Sequence, residues 1–388
     1  MKMPQEQTKR ETGGNAAGIL AALLLFICII LFAYYTYMKS TNPSVTPKDL
    51  LQLLPGSKIH AVKDAQVQFE FDFDAKDKSD FTVYGDYIAK CSTGGIWLLD
   101  KKGASVWSES MSLNKPVLKT NGARLLGADI GANDIFVVEG RTIRWRDKLD
   151  ASILNADMSE DGYVSVIVAS KRYNNEIRVY DPYGVELFRK IIANDFAVNA
   201  GISPNEKTLA VSGISTGAYG AYSDYKFYDF NGSDPVIQTF EASGELLPLY
   251  WFNSDGSLFA AGDRAVACVD KAGKVIWEKQ FTAVSGACPA GDRRLAVTAE
   301  SGEGIQLKVY DPKGSELASG NLAFRPSRMT AVKGAVAVFS NDSAYFYNDR
   351  CQNISKYSSA SQIQQIIFFN RQLAAVITND TVTVVSIN

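Results

Sequence analysis

One phrase recurs along this 388-residue chain: an Asp, two residues, a Gly, three residues, then an apolar side chain. It reads DKKGASVW from Asp100, DPYGVELF from Asp181, DFNGSDPV from Asp229, DKAGKVIW from Asp270 and DPKGSELA from Asp311. Each copy follows a short apolar run (GIWLL, EIRVY, DYKFY, AVACV, QLKVY), so the phrase is the turn between two strands. Its residues have separate jobs. The Asp accepts backbone N–H groups at the start of the turn, and the Gly supplies positive φ. The closing Trp or aliphatic suits a contact between neighbouring units, where a large ring buries the most area. Five copies of one hairpin predict a repeat protein whose units stack on one another. A degenerate copy, NDRCQNIS from Asn348, has Cys351 at the glycine position, which predicts a turn of different geometry.

Strands placed on either side of the hairpins give units at 80–110, 123–150, 152–192, 196–241, 246–281, 284–322, 327–358 and 363–388. They predict an all-β fold, a β-propeller of eight four-stranded blades. The second unit (ARLLGADI, DIFVVE, TIRW) has a poor fourth strand, so seven blades is the alternative. The last unit ends after three strands, and the unassigned run QVQFEFDF at 66–73 supplies a fourth. Placed there, it closes the ring and removes an open sheet edge. From Asp100 to Val385, seven steps cover 285 residues, about 41 each, as propeller repeats do.

These units resemble the blades of quinoprotein-type (PQQ-like) propellers, whose repeat couples an Asp–Gly turn to a tryptophan in the pattern D-x-x-T-G-x-x-x-W. Here the phrase is one residue shorter, and Trp stands at its end only at Trp107 and Trp277. Units three to five also resemble WD40-type blades, with SEDG at Ser159, SPNEK at Ser203 and NSDG at Asn253 between their first two strands. The combination of an apolar N-terminal segment and a propeller is similar to the uncharacterised membrane-anchored propellers of the Gram-positive envelope, of the DUF5711 type. It also resembles the periplasmic propeller lipoprotein that scaffolds outer-membrane protein assembly, although this chain carries no lipobox cysteine. The resemblance covers the chain from about Asp64 to its end and is specific for fold.

Residues 16–38 form an uncharged run of 23. As a helix it is about 34 Å long, enough to cross a hydrocarbon core of about 30 Å. It exceeds the apolar core of a cleavable signal peptide, which predicts an uncleaved single-pass anchor. Lys2, Lys9 and Arg10 before it place residues 1–15 in the cytoplasm and the remainder outside. The predicted order is a cytoplasmic tail (1–15), a transmembrane signal anchor (16–38), a stalk (39–63) and the propeller (64–388), at the plasma membrane. Beyond the first 39 residues the chain carries 36 Lys+Arg against 40 Asp+Glu. That near-neutral balance argues against nucleic acid or a polyanion as the main partner.

Catalytic constellations are sparse. The one histidine, His60, lies in the stalk, which removes Ser–His–Asp, Cys–His and multi-His metal chemistry. No two cysteines are adjacent, whereas the quinoprotein enzymes that the blades resemble use a vicinal pair. Cys268 and Cys288 fall on strands two places apart, about 9.5 Å, too far for a disulfide; buried free thiols are expected. The acidic run Glu70, Asp72, Asp74, Asp77, Asp80 lacks the glycine and bidentate Glu of an EF-hand loop. It reads as outward positions alternating with inward Phe71 and Phe73. Ser223 and Lys226 match S-x-x-K without its companion motifs. No catalytic, metal or cofactor residue is assigned.

Loop length is the remaining signal. In propellers the loops between strands b and c and between blades share one face. The fourth blade carries STGAYGAYSD there at 215–224, the third SKRYNN at 170–175 and the sixth ESGEG at 300–304. Tyr and Arg on Gly/Ser backbones are what adaptable interfaces use, so Arg172, Tyr173, Tyr219 and Tyr222 are the candidate partner-binding residues. The expected function is a non-catalytic scaffold for a protein or cell-envelope polymer. The alternatives are a transmembrane sensor, or an enzyme using carboxylates around the channel, for which Asp129 and Asp157 are the acids placed on inner strands.

Overall fold

A computed structural model describes residues 62–388 apart from 194, 207, 219, 231–234, 241–243, 303 and 388, together with Phe32, Ala33, Tyr35 and Thr36. Among the described residues no helix is long and apolar enough to cross a membrane. The span expected at 16–38 lies outside them except at those four positions, and the stalk, with His60, lies outside apart from its last residues, 62 and 63.

Residues 62–388 form one compact unit of eight antiparallel sheets. The blades occupy residues 80–110, 116–148, 153–192, 196–239, 249–280, 283–321, 328–358 and 365–386. Each sheet follows the chain, with strand a innermost and strand d outermost. The exception is the eighth, where Gln66–Asp72 pairs antiparallel with Thr381–Ser386 and becomes its strand d. The N-terminal strand thus closes the ring, as the missing fourth strand of the last unit requires.

Eight apolar clusters hold the ring, one between each pair of neighbouring blades. Their origin is the period-two alternation of strands whose two faces both meet neighbours. In Val164–Ala169, Val166 and Val168 pack toward blade 2 while Ile167 packs toward blade 4. The cluster joining Val382 and Val384 to Ile88 and Phe81 seals blade 8 against blade 1.

The repeated phrase has the same geometry in each copy where the turn is described in full. Asp100 Oδ1 accepts from the N–H groups of Lys102 at 2.8 Å and Ala104 at 2.9 Å. Asp181, Asp270 and Asp311 repeat this pair of bonds. The glycine does more than bend the chain: it is where the preceding blade lands. Trp277 of blade 5 lies over Gly314 of blade 6, and its Nε1–H donates to Pro312 O at 3.0 Å. Trp145 of blade 2 covers Gly184, and Phe71 covers Gly103.

Four expectations need correction. The second blade begins at Pro116–Thr120, which had no strand assigned; the run taken as its first strand is its second, Arg124–Asp129, and its outer strand is the full Thr142–Lys148. Asp129 is therefore not on an inner strand. The turn at Cys351 does not differ from the others: Asn348 Oδ1 accepts from Arg350 N and Gln352 N, both at 3.0 Å, and Cys351 takes φ 56. Finally, 215–224 is less a loop than a β-hairpin, since Thr208–Gly217 and Gly220–Asp229 pair out to Gly217↔Gly220. One strand was not anticipated: Lys63–Asp64 adds in parallel to the outer edge of blade 7.

Candidate functional site

Chain direction within each blade puts the b–c and inter-blade loops on one face of the ring and the phrase turns on the other. Three cavities of about 630, 600 and 420 Å³ are lined by residues of the first face. The largest is the mouth of the central channel, between Asp80, Leu249, Ser285 and Arg328. The second lies between the loops of blades 7 and 8, around Arg325, Asn341 and Gln362. The third lies between blades 2 and 3, lined by Asp150 and Lys171 among others.

The third cavity borders the predicted contact residues. Arg172 and Tyr173 are exposed on the b–c turn of blade 3, Tyr173 with 46% of its surface open. Their N–H groups face Ser170 Oγ at 3.4 and 3.2 Å. Tyr222 is half-buried on the outgoing strand of the blade-4 hairpin. Tyr219, at the hairpin tip, lies outside the described residues.

Asp195, on the connection between these blades, ties the two elements together. Its backbone carbonyl accepts from Asn174 Nδ2 at 3.0 Å, and its carboxylate accepts from Ser215 Oγ at 2.7 Å. The same carboxylate pairs with Lys226, whose Nζ also lies 3.1 Å from Asp224 Oδ2. Burial pushes the Asp224 carboxyl above its usual range and the Lys226 amine below its own. The hairpin thus stands on an ordered ionic base. Beneath the blade-3 turn, Arg178 is 5% exposed and bonded to Asp150 at 2.6 Å and Glu176 at 2.7 Å.

The other candidates separate. Ser223 is buried and its Oγ accepts from Leu247 N at 2.8 Å, while Lys226 is committed to the two carboxylates. Asp157 faces the channel paired to Lys119 Nζ at 3.0 Å. Asp129 is buried and accepts from Asn114 N, Asn114 Nδ2 and Lys115 N, fixing the entry to blade 2. Asp80, which the sequence reading did not count among the inner acids, accepts from Phe81 N and Leu118 N at 2.9 and 2.8 Å. Burial raises its carboxyl pKa.

Of the acidic run, Glu70 accepts from Thr383 Oγ1, Asp74 from Lys76 N, and Asp77 pairs with Lys90. Among the described residues no three His, Cys, Asp or Glu side chains gather as a metal site would require. Cys91, Cys268, Cys288 and Cys351 are free thiols, each pushed up to about 12 chiefly by burial. Sequence reasoning missed the cavities at the channel mouth and beside blades 7 and 8. Their only signal was one Ser/Gln-rich inter-blade connection, at 359–364.

The chain belongs to the family of unknown function DUF5711, whose profile matches residues 58–387. No curated protein matches it in sequence. Among solved structures it is similar to BamB from Moraxella catarrhalis, at 15% identity and a TM-score of 0.54, over 83% of this chain and 99% of that one. It is also similar to Chaetomium thermophilum Sqt1 bound to the N-terminus of ribosomal protein L10, at 10% identity and a TM-score of 0.61, over 83% of this chain and all of that one. At these identities the likeness is one of fold.

Proposed function

We propose that this protein is a single-pass membrane scaffold that presents its propeller outside the cytoplasm and binds a protein or cell-envelope partner on the loop face. The carrying observation is the rim of blades 3 and 4, where Asn174, Asp195 and Ser215 brace an exposed Arg–Tyr turn beside a projecting hairpin. Aromatic and Arg side chains on a braced backbone lose little conformational entropy on binding and supply contact area. The uncharged run at 16–38 supports the anchor, and the preceding Lys and Arg residues support an external propeller. A propeller of the same fold, Sqt1, is bound to a protein segment in its crystal, which supports a protein partner here.

The test is crosslinking capture from intact membranes. Replacing all of 215–224 would break the blade-4 sheet, because Asp224 is 4% exposed and paired. The variant is therefore Arg172→Ala, Tyr173→Ala and Tyr219→Ala together. Loss of a reproducible partner at unchanged thermal stability is the expected result. An unchanged partner list refutes the placement of the interface.

A further inference from the structure

The cavity at the channel mouth and the cavity between blades 7 and 8 adjoin. Consecutive residues divide between them: Ser327 lines one and Arg328 the other, as do Ser340 and Phe339. Together they form a cleft running from the channel outward, on the opposite side of the ring from Arg172 and Tyr173. Its volumes of about 630 and 600 Å³ fall within the usual range of small-ligand sites.

The lining is polar without being charged overall. Asp80 and Asp342 balance Arg325 and Arg328. The remaining polar side chains are hydroxyls and amides, and several are idle. Thr330, Ser340, Ser361 and Gln364 make no side-chain hydrogen bond among the described residues. Ser79 Oγ is shut off from solvent and has no partner. Ser79 also lines the cavity at the channel mouth. Hydroxyls and carboxamides each donate and accept. The complement of such a lining is a molecule that also does both and carries no charge.

We propose that this cleft binds an uncharged polyhydroxylated ligand, a stretch of neutral glycan. An anionic polymer would meet a carboxylate for every arginine. An apolar ligand would leave the hydroxyls and amides unpaired, which binding sites penalise heavily. A glycan supplies ring hydroxyls to the polar groups and apolar ring faces to Leu249 and Met329, which line the channel mouth.

The experiment uses the full-length chain in lipid nanodiscs, free of sugar-based detergent, and calorimetric titration with four probes. Maltotetraose and chitotetraose are the neutral glycans, a hyaluronan tetrasaccharide is the anionic one, and a neutral Gly-Ser octapeptide is the peptide. The expected result is binding of at least one neutral glycan. The double variant Ser340→Ala, Gln364→Ala should weaken it about tenfold or more, the equivalent of one to two hydrogen bonds. Arg172→Ala should leave it unchanged, which separates this site from the interface on blades 3 and 4. Unaltered thermal unfolding of the double variant excludes misfolding as the cause. The proposal is overturned if no neutral glycan binds at millimolar concentration, if the anionic glycan or the peptide binds more tightly, or if glycan binding survives the double variant.

Discussion

If each blade is seated by a ring lying on the next blade's glycine, a methyl group added to that glycine should cost more than its backbone strain. Gly314 and Gly131 test this as a pair. Their φ angles are nearly equal, 81° and 84°. A Cβ at Gly314 would come within 2.9 Å of Cγ and Cδ1 of Trp277, whereas one at Gly131 meets nothing within 4 Å. Alanine in the left-handed region costs about 1–2 kcal/mol, and both variants share that cost. Overpacking adds about 1–3 kcal/mol, and only Gly314→Ala incurs it. Gly131→Ala is therefore expected at about 1–2 kcal/mol and Gly314→Ala at about 2–5 kcal/mol. The excess should vanish in a Trp277→Ala background, where the added methyl finds space, giving a favourable coupling of about 1–3 kcal/mol in the double-mutant cycle. Guanidinium unfolding followed by far-ultraviolet circular dichroism reads all five proteins without depending on the lost indole. Equal costs at the two glycines, or an excess that persists without Trp277, would refute the seating argument.

Two further outcomes follow from named groups. Glu206, on the a–b turn of blade 4, is pushed up to about 7 by burial and then by the hydrogen bond and charge of Asp161. The fold thus binds this proton more tightly than the unfolded chain, so the group's contribution is full below its ordinary value of 4.5 and lost as pH rises through about 7. Glu206→Gln should flatten the fall in the guanidinium midpoint over this interval; parallel curves for variant and wild type would dismiss Glu206 as the source. Deleting residues 66–72 should uncover the edge of Thr381–Ser386 and the apolar contacts of Phe69 and Phe71, producing self-association in sedimentation velocity. A monomeric, fully folded deletion product would show that the ring does not depend on its N-terminal strand.

What the sequence revealed and hid follows from what each interaction demands of a residue. An Asp accepting two N–H groups and a Gly at positive φ have few substitutes, so the phrase stayed visible in five copies. Blade 2 escaped because its turn is tighter: Glu139 pairs directly with Thr142, which leaves no room for the phrase. Trp145 still lands on Gly184, but without the spacing that would identify it. Its inner strand was masked by opening on Pro116, tolerable there because that strand is the free edge of its sheet. Cys351 misled in the opposite direction. A non-glycine residue at φ 56 is uncommon, yet Asn348 reproduces the two acceptor bonds of Asp and holds the turn in its usual form. At the candidate site, residue types were legible and their setting was not. Arg172 and Tyr173 announce themselves by composition, but the bracing at Asp195 joins residues from three separate stretches of chain.

The same logic explains why the two faces of the ring carry different information. The phrase face is built from turns whose every residue is spent: the Asp on backbone N–H groups, the Gly beneath a ring, the aromatic on the next blade. A residue already committed to seating a blade has no donor or surface left for a ligand. The loop face has no such obligation, because strands b and c pair fully before their loops begin. Its polar groups are thus free to vary, and idle hydroxyls and amides at blades 7 and 8 can persist without weakening the ring. Ser340→Ala and Gln364→Ala should accordingly leave stability within about 0.5 kcal/mol of wild type, as surface substitutions away from such features do, whereas Gly314→Ala should not. The turns that seat the blades and the polar groups left idle thus lie at opposite ends of the same strands.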